Sequence, residues 1–228
     1  MVIAIDALRV AYMAVPKAGC STVKGMLAEL DPDVKDDGGD DYSDPMLHDR
    51  YQTRRFRGDR WAEYKGYYGF TVIRDPAQRL LSVYTDRVAR RGDLAKSKQI
   101  RRGVANLPIT PDPDYFFMNL RAYMNASSII KHHALPTHLF TGRDFSVYSR
   151  VYRIEDLHLL PRDLRRKTGR KPSLVTRNAS GGALTLSDLN PRTQDWLCEW
   201  LAPEYAALSD FYESPFQEEA DMSQPMVA

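Results

Sequence analysis

The sequence predicts an α/β fold with a mainly parallel central sheet and helices on both of its faces. Three short, mostly apolar runs at residues 8–15, 69–73 and 151–154 have the composition of buried strands. Each is followed by residues at helical spacing, and the first of these helices is predicted over about 20–30. Because strands and helices alternate, we expect a sheet covered on both faces, with ligands bound beyond the carboxyl ends of its strands.

Length and composition limit the kind of protein this chain can be. Its 228 residues are 43% hydrophobic and 27% charged, so we expect one domain with a sizeable core over residues 1–228. A formal net charge of +2 gives no reason to expect nucleic-acid binding. The acidic stretch at about 31–45 is expected to be a solvated loop rather than a calcium site, because Lys35 falls where an oxygen ligand is needed. Residues from about 217 to 228 are expected to fray.

Cysteine content and hydropathy favour a reducing compartment. Cys20 and Cys198 are the only cysteines, too few for a disulfide framework, and both are expected to be thiols. No run of 18 apolar residues is present to form a transmembrane helix. The first 14 residues lack the basic and apolar regions of a signal peptide, so we expect a cytoplasmic protein.

The first candidate site is the loop that joins the strand at 8–15 to the helix after it. Its sequence is Pro16-Lys17-Ala18-Gly19-Cys20-Ser21-Thr22. A loop in this position directs backbone N–H groups and a helix N-terminus towards an anion. Gly19 allows close approach of a phosphate, Ser21 and Thr22 supply hydroxyl donors, and Lys17 supplies a mobile positive charge. The Walker spacing is absent because the lysine precedes the glycine, and an ordinary strand-to-helix turn is the alternative interpretation.

A second segment follows the strand at 69–73 in the same arrangement. It reads Arg74-Asp75-Pro76-Ala77-Gln78-Arg79-Leu80-Leu81-Ser82. Asp75 is predicted to cap a helix that begins at Pro76. Arg74 ends the strand and Ser82 lies about two turns into the helix, so a guanidinium and a hydroxyl can converge on one phosphate. Pairing of the arginine with neighbouring acids is the alternative, but two such segments together indicate a ligand with phosphates at two ends.

These two segments resemble those of sulfotransferases that use 3′-phosphoadenosine 5′-phosphosulfate (PAPS), above all the Golgi-type carbohydrate sulfotransferases of family 2. The first is similar to the family's 5′-phosphosulfate loop and the second to its 3′-phosphate segment. The likeness spans about residues 8–213. Further elements that resemble the family are His132-His133 with Leu139, Tyr152-Arg153-Ile154-Glu155-Asp156-Leu157, and Asn178-x-Ser180 with Tyr205 and Asp210-Phe211.

The resemblance implies a three-layer, P-loop-like fold and a metal-independent reaction. A sulfuryl group would pass from PAPS to a hydroxyl, less often an amine, of a carbohydrate or glycoconjugate, leaving 3′-phosphoadenosine 5′-phosphate. Lys17 would neutralise the phosphate oxygen as it leaves. The nucleotide would be held by Pro16, Lys17, Ala18, Gly19, Cys20, Ser21, Thr22, Arg74, Ser82, Tyr152 and Asn178.

A hydroxyl acceptor needs a general base. In related glycan sulfotransferases a histidine or glutamate between the two phosphate segments has this role, and His48 is the only histidine there. It is therefore the first candidate, with a surface histidine as the alternative interpretation. His132, which matches a family element, is the second candidate. Glu155 is expected to be a structural partner for an arginine, and His138 and His158 to be incidental.

The chain departs from its Golgi relatives in two ways. Phe140 stands where many of them have a disulfide cysteine, and no membrane anchor is expected before the domain. Both departures indicate a cytosolic member of bacterial type, peripheral at the inner membrane if the acceptor is lipid-linked.

The acceptor itself is left open by the sequence. The basic stretch at 87–102 is either a solvated helix face or a channel for an anionic glycan, and the same alternatives hold for the basic residues at 162–167. Two rival functions also use two anion sites. One is a P-loop-type small-molecule kinase, which would need magnesium, and the other is a non-catalytic nucleotide- or polyanion-binding protein.

Overall fold

A four-stranded, mainly parallel sheet organises the part of the chain that the computed structural model describes, residues 2–34, 44–175 and 184–216. Its strands are Ile3–Ile5 (β1), Val10–Met13 (β2), Tyr68–Ile73 (β3) and Arg150–Arg153 (β4). They lie in the order β1-β2-β3-β4, with β1 antiparallel to β2 and the other neighbours parallel. The carboxyl ends of β2, β3 and β4 therefore lie at one edge, and the predicted parallel sheet is confirmed.

The described residues also form eleven α-helices. They are Cys20–Leu30 (α1), Asp44–Arg50 (α2), Gly58–Ala62 (α3), Pro76–Val83 (α4), Lys98–Arg101 (α5), Pro113–Met118 (α6), Leu120–Ala126 (α7), Ser128–Ala134 (α8), His138–Thr141 (α9), Leu160–Thr168 (α10) and Pro191–Ala207 (α11). A π-helix, Tyr84–Arg90, continues α4 directly. Helix α1 has the bounds that the sequence predicted. None of the helices in the described ranges is both long enough and apolar enough to cross a membrane.

Both faces of the sheet are covered. On one face, Tyr12 of β2 and Phe70 of β3 stack on each other and belong to the same buried cluster as Leu27 of α1. On the other face, Met13 of β2 packs with Trp61 of α3. Because successive residues of a strand point to opposite sides, β2 contributes to both layers. The predicted three-layer α/β arrangement is therefore confirmed.

A buried ion pair ties α4 to the helices beside it. Arg79 of α4 is fully buried and donates to the Glu204 carboxylate of α11 at 3.1 Å. It also donates to the carbonyls of His133 and Leu135, at the end of α8 and just beyond it. Removing one partner of a buried pair leaves the other charge uncompensated at a typical cost of about 3–5 kcal/mol, so both residues are needed where α4 meets the segment that carries the histidines.

Sequence patterns missed β1, the π-helix and the short helices α2, α3 and α5, and they made one strand too long. Strand β1 has three residues, too few for a period-two pattern, and it reaches β2 through a tight turn in which Arg9 has φ 49°. The π-helix follows no hydrophobic period used for helices. The strand predicted over 8–15 is shorter, because the chain leaves the sheet after Met13 to form the first candidate loop.

Candidate active site

The loop between β2 and α1 is strongly curved. Lys17 has φ 67° and Gly19 has φ 71°, both in the left-handed region, which costs a residue with a side chain about 1–2 kcal/mol. A Cβ atom at Gly19 would lie 3.3 Å from Leu157 Cδ2 and 3.6 Å from Ile154 Cδ1. The glycine is therefore required both by the backbone conformation and by the close approach of the chain that follows β4.

Helix α1 begins at this loop without a side-chain cap. Its N-cap residue is Gly19, which has no side chain to bond the first amides, and Cys20, Ser21 and Thr22 form the first turn. The N–H groups of a first helical turn have no intrahelical acceptor, and the helix dipole makes this end positive. This helix end is consequently suited to binding an anion.

Both candidate segments line one cavity of about 930 Å³. The first loop contributes Pro16, Lys17, Gly19, Cys20, Ser21 and Thr22, and the second segment contributes Arg74 and Gln78. The histidines on its wall are His48, His132, His133 and His158. Residues separated by more than a hundred positions are thus brought together at the carboxyl edge of the sheet.

Arg74 links the two segments directly. Its Nη1 donates to the carbonyl of Lys17 at 3.3 Å. Burial lowers the pKa of Arg74, and the negative charges of Glu155 and Asp75 oppose that effect. Its buried Nε has no hydrogen-bond acceptor among the described residues. A guanidinium at a cavity wall with a donor to spare can bind a carboxylate or a phosphate.

Lys17 extends to an acidic residue that sequence reasoning missed. Its Nζ donates to Asp86 Oδ2 at 2.7 Å, and the two side chains are only 13% and 4% exposed. Burial lowers the pKa of Lys17, while the bond to Asp86 raises it again. Asp86 lies four residues after Ser82, so helical spacing on the second segment was the signal that could have identified it.

A ring of cations surrounds the Asp86 carboxylate. Besides Lys17 it contacts Arg87, Arg90 and Arg91, of which the first and last line the cavity. Burial alone would raise the pKa of Asp86, but these cations hold it well below its usual range. The wall at this point therefore carries more positive than negative charge.

His48 lies on α2 and contacts α1 through both ring nitrogens. Its Nε2 is 3.2 Å from Ser21 Oγ and its Nδ1 is 2.9 Å from Lys24 Nζ. Lys24 is fully buried and also donates to Thr53 Oγ1. Because an ammonium group can only donate, Nδ1 accepts from Lys24, and the neutral ring then carries its proton on Nε2, facing the serine.

His132 and His133 lie in the last turn of α8 and line the same cavity. Burial and then the charge of Arg87 lower the pKa of His132 from its ordinary value and lower that of His133 to about 3. His133 Nδ1 donates to the carbonyl of Ile129 at 2.8 Å, so the lone pair of its neutral ring is on Nε2. The rings of the two histidines meet edge to face.

Four residues predicted to bind nucleotide do not line the cavity or cannot be placed. Ala18 is fully buried in a small cluster with Val15 and Phe140. Ser82 is buried, and its hydroxyl donates to the Arg79 carbonyl at 2.6 Å. Tyr152 is buried and donates to Asp163 at 2.8 Å. Asn178 lies outside the described residues.

Two further residues differ from their predicted surroundings. Glu155 lines the cavity and raises the pKa of Arg74, but its hydrogen-bond partner is the Tyr212 hydroxyl, at 2.9 Å. His158, expected to be incidental, also lines the cavity. Among the residues of known placement, no group of three or more His, Cys, Asp or Glu could hold a metal ion.

Comparison with known proteins identifies the family. A family model described as the sulfotransferase family matches residues 2–180, well over half of the chain and both phosphate segments. No curated protein and no solved structure matches the chain significantly. The chain therefore belongs to the sulfotransferase family and is of the carbohydrate sulfotransferase family 2 type.

Proposed function

We propose that this sulfotransferase moves a sulfuryl group from PAPS to a hydroxyl group of a carbohydrate or glycoconjugate. The observation that carries the proposal is the meeting of Lys17 and Arg74, from separate phosphate-type segments, at one cavity of about 930 Å³. A donor with phosphates at both ends requires two such segments at a fixed separation. A nucleotide and a sugar together require a cavity of this order.

The residues of the cavity fit such a donor. The first helical turn of α1 offers amide donors without a side-chain cap, and a Cβ at Gly19 would lie in tight contact with Leu157 Cδ2, at 3.3 Å. Arg74 has a buried Nε without an acceptor in the described chain. In our proposal the first loop holds the 5′-phosphosulfate and Arg74 holds the 3′-phosphate, with Ser82 as a further donor if its hydroxyl turns away from the Arg79 carbonyl.

Sulfuryl transfer depends mainly on the positioning of donor and acceptor and on positive charge that stabilises the leaving phosphate. PAPS supplies a sulfuryl group on a phosphate that leaves as the new bond forms. Lys17 is our candidate to donate a hydrogen bond to the oxygen on which negative charge develops. The amides of the first turn of α1 stabilise the same charge from fixed positions, and they require no reorganisation as the charge builds.

We propose His132 as the base and His48 as the alternative. The base must accept a proton, and burial favours the neutral form of His132 at neutral pH. His48 can accept on Nε2 only if its proton moves to Nδ1, which faces Lys24. In the arrangement described above, His48 instead donates to Ser21 Oγ and supports the first loop.

Substitution of each histidine by alanine separates these roles. We expect His132→Ala to lower kcat about 100-fold or more, since a general base contributes that much, and His48→Ala to raise KM with a smaller loss in kcat. The acid limb of the wild-type kcat profile should lie below the ordinary histidine pKa of 6.5, because burial lowers the pKa of His132. A large kcat loss in His48→Ala alone would reverse the assignment.

An anionic acceptor is the variant of this function that the cavity wall favours. Of the basic stretch at 87–102, Arg87 and Arg91 line the cavity, whereas Arg101 and Arg102 are exposed. Arg87 and Arg91 therefore fit the interpretation of this stretch as a channel for an anionic glycan, whereas Arg101 and Arg102 fit its interpretation as a solvated helix face. Carboxylated or already sulfated sugars would be attracted by such a wall.

Transfer of labelled sulfate from PAPS onto glycan fractions tests the proposed function. We expect label to appear in a carbohydrate fraction without added metal, and more readily in an anionic fraction than in a neutral one. The same assay with Lys17→Ala controls for contaminating activity. Failure of the wild-type protein to label any hydroxyl-bearing fraction would contradict the proposal.

A further inference from the structure

The π-helix after α4 brings an acidic side chain to the wall of the cavity. In this segment the amide of Arg91 donates to the carbonyl of Asp86 at 3.1 Å, a bond between residues five apart. Single π-turns within a helix are rare and frequently occur at functional sites. Asp86 itself lines the cavity although its side chain is only 4% exposed.

The Asp86 carboxylate is held firmly on one side and contacts Lys17 on the other. Its Oδ1 accepts from Arg90 and, at 2.9 Å, from Arg91 Nε. Its Oδ2 accepts from Lys17 Nζ at 2.7 Å and lies 3.3 Å from Arg87 Nε. A carboxylate fixed by its own helix is a rigid support for a flexible lysine side chain.

We propose that Asp86 is the positioning residue of Lys17, and that its carboxylate orients the lysine ammonium along the cavity wall beside the first loop. Lys17 carries its ammonium on a flexible four-carbon chain, so its own side chain does little to direct the charge. Asp86 supplies that direction. Only the catalytic consequence of this inference rests on the proposed function.

The charges that face Lys17 indicate a second effect of the same contact. The charged groups that face it among the described residues are Asp86 and Arg87 on the π-helix and the guanidinium of Arg74 at the Lys17 carbonyl; the titratable groups beside them are the Cys20 thiol on α1 and the His133 ring on α8. Burial lowers the pKa of Lys17, and among these groups Asp86 opposes burial most strongly. Loss of Asp86 should therefore lower the pKa of Lys17 further, and the ammonium would lose its proton at a lower pH.

An NMR titration of protein labelled with ¹³C-lysine measures this effect in the absence of nucleotide. Lys17→Met assigns the Lys17 signal. We expect Asp86→Asn to lower the pKa of Lys17 by about one pH unit or more, the effect of losing an adjacent opposite charge. Asp93→Asn is the matched control, because Asp93 is an equally buried acid that pairs with Arg87 and Lys96 but not with Lys17.

A charge-balanced double variant keeps the proposal testable if Asp86→Asn alone does not fold. Asp86→Asn leaves several arginines without their anion, whereas Asp86→Asn with Arg90→Gln removes one charge of each sign. Arg90→Gln alone should leave the pKa of Lys17 near the wild-type value, and the double variant should show the fall. A Lys17 titration that is unchanged in whichever Asp86 variant folds would overturn the proposal.

Kinetics then separate this inference from the proposed function. Because Lys17 acts in its charged form, kcat should fall as the pH rises through its pKa, and this alkaline limb should move to lower pH in Asp86→Asn but not in Asp93→Asn. If the pKa of Lys17 falls in Asp86→Asn but the wild-type protein transfers no sulfate, the proposed function is rejected and the effect of Asp86 on Lys17 stands. If the wild-type protein transfers sulfate but the alkaline limb stays at the same pH in Asp86→Asn, the positioning role is rejected and the proposed function stands.

Discussion

The two phosphate segments share one arrangement, strand then turn then helix, but their helix ends differ. The N-cap residue of α1 is Gly19, which offers no side chain to the first amides of the helix. The N-cap residue of α4 is Asp75, whose Oδ1 accepts from the Gln78 amide at 2.8 Å and whose Oδ2 accepts from the Tyr205 hydroxyl at 2.7 Å. The N-terminus of α1 therefore has no side-chain cap on its amides, whereas that of α4 is already capped by the Asp75 carboxylate.

Under the proposed function, similar sequence contexts would bind anions through different groups. At α1 these groups would be backbone amides and the positive end of the helix dipole. At α4 a negative cap already occupies that position, so an anion must be bound by the side chain of Arg74. We therefore expect the first segment to be sensitive to backbone changes and the second to changes of side chain.

The largest effect is expected for Lys17→Ala. Removing the ammonium should lower kcat about 100- to 1000-fold with little change in nucleotide affinity, because its hydrogen bond strengthens as the leaving oxygen becomes charged. Steady-state kinetics and calorimetry measure the two quantities. Lys96→Ala removes an exposed lysine that pairs with Asp93 and serves as the control. An equal loss in both quantities would assign Lys17 to ground-state binding.

Arg74→Ala should act mainly on affinity. We expect the dissociation constant of 3′-phosphoadenosine 5′-phosphate to rise about 10- to 100-fold, since a hydrogen bond to a charged group is worth about 1.5–3 kcal/mol. Calorimetry of the folded variant measures the change. Unchanged affinity would remove Arg74 from the 3′-phosphate site.

Ser82→Ala sharpens the same test. The Ser82 hydroxyl donates to the Arg79 carbonyl at 2.6 Å and must turn to reach a phosphate, so its loss should cost less affinity than that of Arg74. A loss as large as that of Arg74→Ala would show that the hydroxyl does turn and that both side chains bind the phosphate.

The smallest effect, and the one most specific to the first segment, is expected for Gly19→Ala. The left-handed backbone should cost about 1–2 kcal/mol of stability. Gly92→Ala is the matched control, because Gly92 has φ 58° with nothing within 4 Å of its Cβ position. Thermal unfolding should show a greater loss for Gly19→Ala, whose Cβ meets Leu157. Equal losses of stability in the two variants would mean that the contact between a Cβ at position 19 and Leu157 does not affect stability.

Much of this site could be predicted from the sequence because local signals mark its boundaries. Pro16 and Gly19 delimit the first loop, and Asp75 with Pro76 begins α4 with the expected bond to Gln78. These features depend on neighbouring residues. The convergence of Lys17 and Arg74 followed from parallel strands, whose carboxyl ends lie at one edge.

The parts that could not be predicted depend on contacts between distant segments. Helical spacing could have placed Asp86 on the same face as Ser82, but its contact with Lys17 joins two distant segments of the chain, and no hydrophobic period encodes the π-helix on which Asp86 lies. The proton arrangement of His48 depends on Lys24, which the sequence alone does not bring to it. Tyr152, predicted to bind nucleotide, is instead buried beside Tyr68 and Asp163.

Calorimetric titration of the wild-type protein tests the central claim most directly. The account predicts tight binding of 3′-phosphoadenosine 5′-phosphate in the presence of EDTA, weakened in Arg74→Ala, and little binding of ATP with or without magnesium. A kinase would instead bind ATP in a magnesium-dependent way. Magnesium-dependent ATP binding, with no affinity for 3′-phosphoadenosine 5′-phosphate, would contradict the assignment of the two segments to the two ends of PAPS.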